Sequence, residues 1–264
     1  MSEAVTPRSA STILLVRDAP DLQVLMVTRH HQIDFATGAL VFPGGKRAAE
    51  DSDPAWLEHV DASGDLSPDE LSLRIAGVRE AFEESGVLLA RLAGRRGAGA
   101  PFAPAQACAA LSDRRDAVAS GAQPFLPLVR EAGLVLALDA LVRYAHWVTP
   151  EFVPKRFDTH FFIAEAPADQ AAACDGREAV EAVWIEPAQA LAEGQAGQRQ
   201  IIFPTRLNLQ RLSESPSAAA AMAASRARRI VTVMPRVIED NGARYLSIPE
   251  EAGYAVTREL MAAR

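Results

Sequence analysis

A chain of 264 residues, 49% hydrophobic and 23% charged, holds enough apolar material for a substantial core, in one large domain or two small ones. Its 27 Lys and Arg against 34 Asp and Glu, a net charge of −7, exclude a protein that coats a nucleic-acid polymer, whose affinity rests on neutralising phosphates. A local basic pocket for a small phosphate compound remains open. No apolar run approaches the roughly 20 residues needed to cross a bilayer, since Asp139 breaks the best candidate, Leu134 to Val142, so no membrane partner is expected. The N-terminus has neither the basic region nor the apolar core of a secretory signal, which makes the expected location cytoplasmic. Cys108 and Cys174 stand far apart without metal-ligand spacing and read as ordinary thiols.

In chain order, Thr12 to Val16 and Leu22 to Thr28 are short β-rich runs separated by a turn-like Arg17-Asp18-Ala19-Pro20-Asp21. Gly38 to Gly45 reads as a short strand ending in Pro43 and a glycine pair, where backbone can turn sharply or approach a ligand closely. Lys46 to Asp65 is acidic and turn-rich, with a short helix possible near Trp56, and Ser52 to Leu66 is expected to be a surface excursion because it is polar. Ser67-Pro68-Asp69-Glu70 carries a cap, a proline at the first helical position and a glutamate three residues on, a helix start that predicts a helix to Ser85 with Gly86 as its stop. After a Gly/Ala/Pro loop at 94–105, helices are predicted around Ala105 to Ala119 and Leu126 to Leu138. Strands follow at Ala140 to Thr149, Phe157 to Ala164 and Ala179 to Ile185, then a short helix at Pro187 to Glu193. From Pro204 the chain is again helical, and it finishes in a hairpin turning at Asp240-Asn241-Gly242.

The informative stretch is Arg79-Glu80-Ala81-Phe82-Glu83-Glu84-Ser85-Gly86-Val87. On a helix, Leu71, Ile75, Val78 and Phe82 share one stripe while Glu80, Glu83 and Glu84 share another. Like charges at these spacings repel by about 0.2–0.5 kcal/mol per pair unless a cation sits among them. Either the patch is a solvated acidic face, or Mg²⁺ or Mn²⁺, which prefer carboxylate oxygens, turn the repulsion into a site.

Phe42-Pro43-Gly44-Gly45 upstream favours the second reading, and with it the sequence resembles the Nudix hydrolases. Their box, G-x5-E-x7-R-E-U-x-E-E-x-G-U with U apolar, is matched by Arg79 to Val87 at every specified position, and Gly45 resembles its first glycine. Asp51 stands where the box has Glu, and 27 residues instead of seven separate it from Arg79. A branch of coenzyme A diphosphatases is similar in carrying such an insertion. It is also similar at Arg29, at Val41 to Gly45, at Trp147-Val148-Thr149-Pro150 and at Lys155 to Thr159. The related coenzyme A signature has arginine four residues before Gly38, where this chain has Asp34.

The resemblance implies an α/β fold, the Nudix α/β/α sandwich with a mixed sheet and extra helices. The hydrolase domain would span 12–195, with insertions at 52–66 and 94–140, and residues 196–264 would form a C-terminal helical extension with a terminal hairpin, packed on the same domain. It implies hydrolysis of the diphosphate in a nucleoside diphosphate linked to another moiety, with coenzyme A or acyl-coenzyme A leading and ADP-ribose or a dinucleotide second; a nucleotide sensor of the same fold is the non-catalytic alternative. By the same resemblance Glu80, Glu83 and Glu84 hold Mg²⁺ or Mn²⁺, Arg79 orients a carboxylate, and Glu80 or Glu178 is the general base. Arg29, Gly44, Gly45 and Arg156 are the implied substrate-binding residues. Arg29, Lys155 and Arg156 are read either as a phosphate clamp or as surface ion pairs, Trp147 as an adenine platform or as core, Trp184 and Phe203 as core, and His30 and His31 as exposed loop residues in preference to phosphate contacts. The implied partner is a small nucleotide conjugate, with a homodimer also possible.

Overall fold

The two β-rich runs near the N-terminus pair with each other, and the rest of a sheet is built outward from them. The computed structural model describes residues 5–29, 38–62, 64, 66–174, 176 and 179–261. Strands β1 (Arg8–Asp18) and β2 (Leu22–Arg29) form an antiparallel hairpin; β3 (Leu40–Val41) adds to β2 and β4 (Gly44–Lys46) to β1. Two 3₁₀ turns, Ala49–Ser52 and Pro54–Glu58, and β5 (Val60–Asp61) lead to helix α1 (Pro68–Ser85). Next come β6 (Ala90–Leu92), α2 (Ala105–Ser112), α3 (Arg115–Ala119), α4 (Phe125–Glu131) and β7 (Leu134–Ala137). The chain returns to the main sheet with β8 (Val142–Val148), β9 (Phe157–Glu165) and β10 (Ala179–Ile185). It ends with α5 (Pro187–Gln195), α6 (Phe203–Leu212), α7 (Ala218–Ala227), β11 (Thr232–Val233), β12 (Arg236–Asp240), β13 (Ala243–Ser247) and β14 (Arg258–Leu260).

The main sheet runs β10-β2-β1-β9-β8-β11 and is mixed, with β1–β9 and β8–β11 parallel. Its central strand β1 is covered on both sides, which is why Ile13 to Val16 is an unbroken apolar run. Ile13, Leu15, Phe162 and Ala164 face α1 and α4, while Leu14, Val16, Phe161 and Ile163 face α6 and α7. Helices on both faces of a mixed sheet make this an α/β/α sandwich. No helix among the described residues is long and apolar enough to cross a membrane.

Helix α1 begins and ends where its sequence signals stand. Ser67 accepts from the Glu70 amide, Pro68 occupies the first turn, and Gly86 takes the left-handed conformation (φ 74°) that a side chain would resist. The Glu70 carboxylate accepts instead from Arg74 and pairs with Arg143.

Three expectations need correction. The helix expected over 105–119 is two helices, α2 and α3, broken at Asp113 and Arg114. The helix expected to reach Leu138 stops at Glu131, because Gly133 (φ 64°) turns the chain and Leu134 to Ala137 pairs with β6 as strand β7. Nor is 52–66 a surface excursion throughout: Ser52 to Ala55, Leu57 and Glu58 are exposed, but Trp56, Val60 and Asp61 are buried. Trp56 is fully buried, its ring centroid 5.7 Å from Phe125, which lies 5.8 Å from Phe82 of α1. Its indole N–H donates to the Glu50 carbonyl, and β5 joins the small sheet β5-β7-β6. One aromatic residue therefore anchors an otherwise acidic segment in the core.

On the outer strands, pairing sets His146 of β8 opposite His160 of β9, with ring centroids 4.0 Å apart. Burial, and then the neighbouring His146, lower His160 to about 4.

Trp56→Ala should cost about 3–5 kcal/mol in urea unfolding, as expected for a buried aromatic. Leu57→Ala, at a neighbour 65% exposed, should stay within about 0.5 kcal/mol. Equal small losses at both positions would return the segment to the surface.

Candidate functional site

The acidic face of α1 is not solvated: Glu80, Glu83 and Glu84 are all buried, as is Arg79 among them. Carboxylates leave water only when something replaces their hydration, and here Arg79 contributes. Its Nε and Nη2 grip Asp51 in a two-pronged pair at 2.9 and 3.0 Å, its Nη1 donates to Glu80 and Glu83 at 3.1 and 2.8 Å, and Nη2 also donates to the Lys46 carbonyl. Burial opposes the charge of this guanidinium, but Asp51, Glu80 and Glu83 outweigh it and raise its pKa, so it stays charged at any working pH. Asp51 sits on the 3₁₀ turn and accepts from the Ala48 amide at 2.7 Å, which fixes the acid locally for Arg79 to meet from across the insertion.

The glycine pair closes onto the same helix. The Gly44 amide donates to Glu84 at 2.9 Å. A Cβ on Gly45 would come within 2.4–2.6 Å of the Glu80 carboxylate, and one on Gly44 within 2.5–2.6 Å of Ser11 and Thr12 backbone atoms. Both positions require the absence of a side chain, for different reasons: Gly44 lies against a strand, and Gly45 against the Glu80 carboxylate.

Arg79, Glu80, Glu83, Gly44, Gly45 and Arg29 line one cavity of about 800 Å³. Arg29 has its Nε buried without a hydrogen-bond partner among the described residues, and Lys155 also lines the cavity. Away from the carboxylates the wall is largely apolar and includes Phe42, Phe152, Val153 and Phe203. Phe203 and Leu246, from the C-terminal part of the chain, were not anticipated in the site; their placement depends on packing that no local pattern encodes.

Arg156 is placed otherwise than expected. Its guanidinium donates to the carbonyls of Thr149 and Val5, with a longer contact to the Met234 sulfur, and it is buried off the cavity wall as a backbone clamp. Trp147 is buried and also lines the cavity; its indole N–H donates to the Tyr254 hydroxyl, which donates to the Asn208 side-chain oxygen. His30, His31, Asp34 and Glu178 lie outside the described residues.

Comparison with known proteins decides the family. Residues 58–212, more than half of the chain, match the NUDT19 Nudix domain. The chain belongs to the Nudix hydrolases. It is 27% identical over 227 residues to the acyl-coenzyme A diphosphatase NUDT19 of Xenopus laevis, covering 73% of this chain and 60% of that one. It is 30% identical to the putative nudix hydrolase 7 of Caenorhabditis elegans over 78% of this chain and 61% of the other. The chain thus spans about three-fifths of the length of these curated relatives. The crystal structure of a Nudix hydrolase from Alicyclobacillus acidocaldarius superimposes with a TM-score of 0.71 at 27% identity, over 84% of this chain and 97% of that one.

Nudix hydrolases generally use divalent metals, and the donor set here fits one. Glu80, Glu83 and Glu84 offer only hard carboxylate oxygens, at helical spacings on one helix, which is the donor chemistry such a metal takes.

The two glycines should separate in mutagenesis. Gly44→Ala forces backbone apart and should lower the melting temperature by several degrees, a loss on the order of 1–3 kcal/mol. Gly45→Ala meets the movable end of Glu80, so it should melt near the parent yet lose turnover. Thermal scans of both, with activity of the second, check the assignment.

Proposed function

We propose that this Nudix hydrolase splits the diphosphate of a nucleoside diphosphate linked to another moiety, with coenzyme A or acyl-coenzyme A as the leading substrate. One observation carries the reading: the buried carboxylates of Glu80 and Glu83 and a glycine turn share one cavity with Arg29, Lys155 and a largely apolar remainder of wall. Such a cavity suits a long conjugate with anionic phosphates at one end and a less polar arm at the other. The likeness to acyl-coenzyme A diphosphatases supports the same choice.

In this reading Glu80 and Glu84 are the principal ligands of Mg²⁺ or Mn²⁺, with Glu83 holding a further ion or its waters. When bound, the metal screens the phosphate charge and stabilises the leaving phosphate. The chain's own groups do the positioning. Arg79 orients Glu80 and Glu83, and the Gly44 amide fixes the carboxylate of Glu84. Glu80 or Glu178 takes the proton of an attacking water, and Arg29 and Lys155 draw in the phosphates. Residues 12–195 form the hydrolase domain in this scheme, and the segment 196–264, packed on it, completes the apolar wall.

Glu84→Gln keeps an oxygen that can accept from the Gly44 amide, so the fold should survive while turnover falls by a factor on the order of 10²–10⁴. The assay is a panel of coenzyme A, an acyl-coenzyme A and ADP-ribose with saturating Mg²⁺, with products read by mass spectrometry. Near-parental turnover in the variant would remove Glu84 from the metal site. Absence of two phosphate monoester products from every conjugate would overturn the catalytic reading in favour of a sensor.

A further inference from the structure

The outer strands of the sheet gather a second set of groups suited to a metal, away from the α1 carboxylates. Strands β9, β8 and β11 lie side by side, and their register fixes which side chains share a face. His146 is opposite His160, Val148 is opposite Asp158, and Thr232 is beside His146. Residues two apart on a strand point the same way, so Asp158 and His160 emerge together with His146. The intervening Trp147, Thr159 and Phe161 emerge on the other face, where they line the substrate cavity. The His/Asp cluster is therefore on the reverse side of the strands that wall that cavity.

One ligand atom from each of His146, Asp158 and His160 lies within 4.8 Å of the others. His146 Nε2 is 2.5 Å, and His160 Nε2 3.8 Å, from the same Asp158 Oδ1. Around a tetrahedral zinc ion with bonds of about 2.0–2.2 Å, neighbouring donors stand about 3.3 Å apart, between these two separations. The Asp158 side chain, 38% exposed, is free to turn by the small amount that equalises them. His146 Nδ1 is 2.8 Å from the Thr232 hydroxyl. When Nδ1–H donates there, Nε2 keeps its lone pair toward the carboxylate, as an outer partner of a metal-bound histidine arranges. A hollow of about 180 Å³ adjoins the cluster and has room for water as a fourth ligand. Arg143, which also lines it, is ion-paired with Glu70.

We propose that His146 Nε2, His160 Nε2 and an Asp158 oxygen form a binding site for a transition-metal dication, with Thr232 orienting His146. Two imidazoles, one carboxylate and an open position are the donor set of zinc rather than of Mg²⁺, which takes oxygen ligands in an octahedron. The site does not depend on the substrate reading, because it shares no residue with it. It would tie β8 and β9 to β11, just ahead of the segment that brings Pro235 and Leu246 to the cavity wall.

The test uses untagged full-length protein with Mg²⁺ in excess, titrated with Zn²⁺ by calorimetry and with Co²⁺ in the visible range, where a tetrahedral site absorbs strongly. One Zn²⁺ per chain should bind, with a tetrahedral Co²⁺ spectrum, and both should persist in Glu84→Gln. His160→Ala should lose them, and Thr232→Val should weaken Zn²⁺ about 10–100-fold. Should His160→Ala fail to fold, Asp158→Asn at its half-exposed position supplies the same comparison. Zn²⁺ uptake unchanged in His160→Ala or Asp158→Asn, uptake abolished by Glu84→Gln, or no uptake by the parent would each overturn the proposal.

Discussion

The site is organised around one buried cation. Arg79 reaches an acid on a 3₁₀ turn, a carbonyl on β4 and two glutamates on its own helix, so three separate pieces of chain are held to one guanidinium. Without that charge, Asp51, Glu80 and Glu83 would be buried beside one another, an arrangement that proteins relieve by protonation or by unfolding. A lysine would not serve. Its ammonium lacks the planar fork that meets Asp51 with two parallel bonds while reaching Glu80, Glu83 and a carbonyl. The same hub explains how a box split by an insertion is gathered in space: Asp51, shorter than the glutamate usual there, is brought close by a tight turn and pinned by the Ala48 amide.

What could be read from the sequence was what is local. Ser67, Pro68 and Gly86 delimit α1 because caps act within one turn, and Arg79 with its glutamates shares a face because helical spacing requires it. Trp56 defeated the same approach, since a window averaged over acidic neighbours hides a single indole that packs on Phe125 from a distant helix. Gly133 was misread because an apolar run is equally good helix or buried strand until a partner is known, and β6 is that partner. Arg156 sits in a basic stretch suggestive of phosphate, yet backbone carbonyls from two remote segments claim it. Asp158 and His160 form an i, i+2 pair that alternation could have flagged, but their meeting with His146 follows only from strand register.

Register also links the two faces of the outer sheet. β9 runs beside β1 as a parallel ladder from Arg8 with Phe157 to Val16 with Glu165, and beside β8 as an antiparallel one. A slip by one residue would turn Phe161 and Thr159 away from the cavity and put Asp158 and His160 into it, exchanging an apolar wall for charge. The fully buried residues of β1 oppose such a slip, since it would drive the apolar set of one face into the packing of the other. The cavity wall and the histidine cluster are thus fixed by the same hydrophobic constraint, although they face opposite ways.

The span that matches the family, 58–212, contains the α1 carboxylates and the loop with Phe152 and Lys155. Gly44, Gly45 and Asp51 precede it, and Pro235 and Leu246 follow it. Packing makes these flanks part of the site all the same. Gly44 bonds to Glu84, Asp51 to Arg79, and Tyr254 from the C-terminal part receives the indole N–H of Trp147 while bonding onward to Asn208 of α6. The carboxylates are therefore anchored in the matched span and its upstream turn, while Pro235 and Leu246 downstream of it add apolar wall to the same cavity. An apolar surface selects by size and shape, so these downstream residues add shape to a cavity whose carboxylates come from α1.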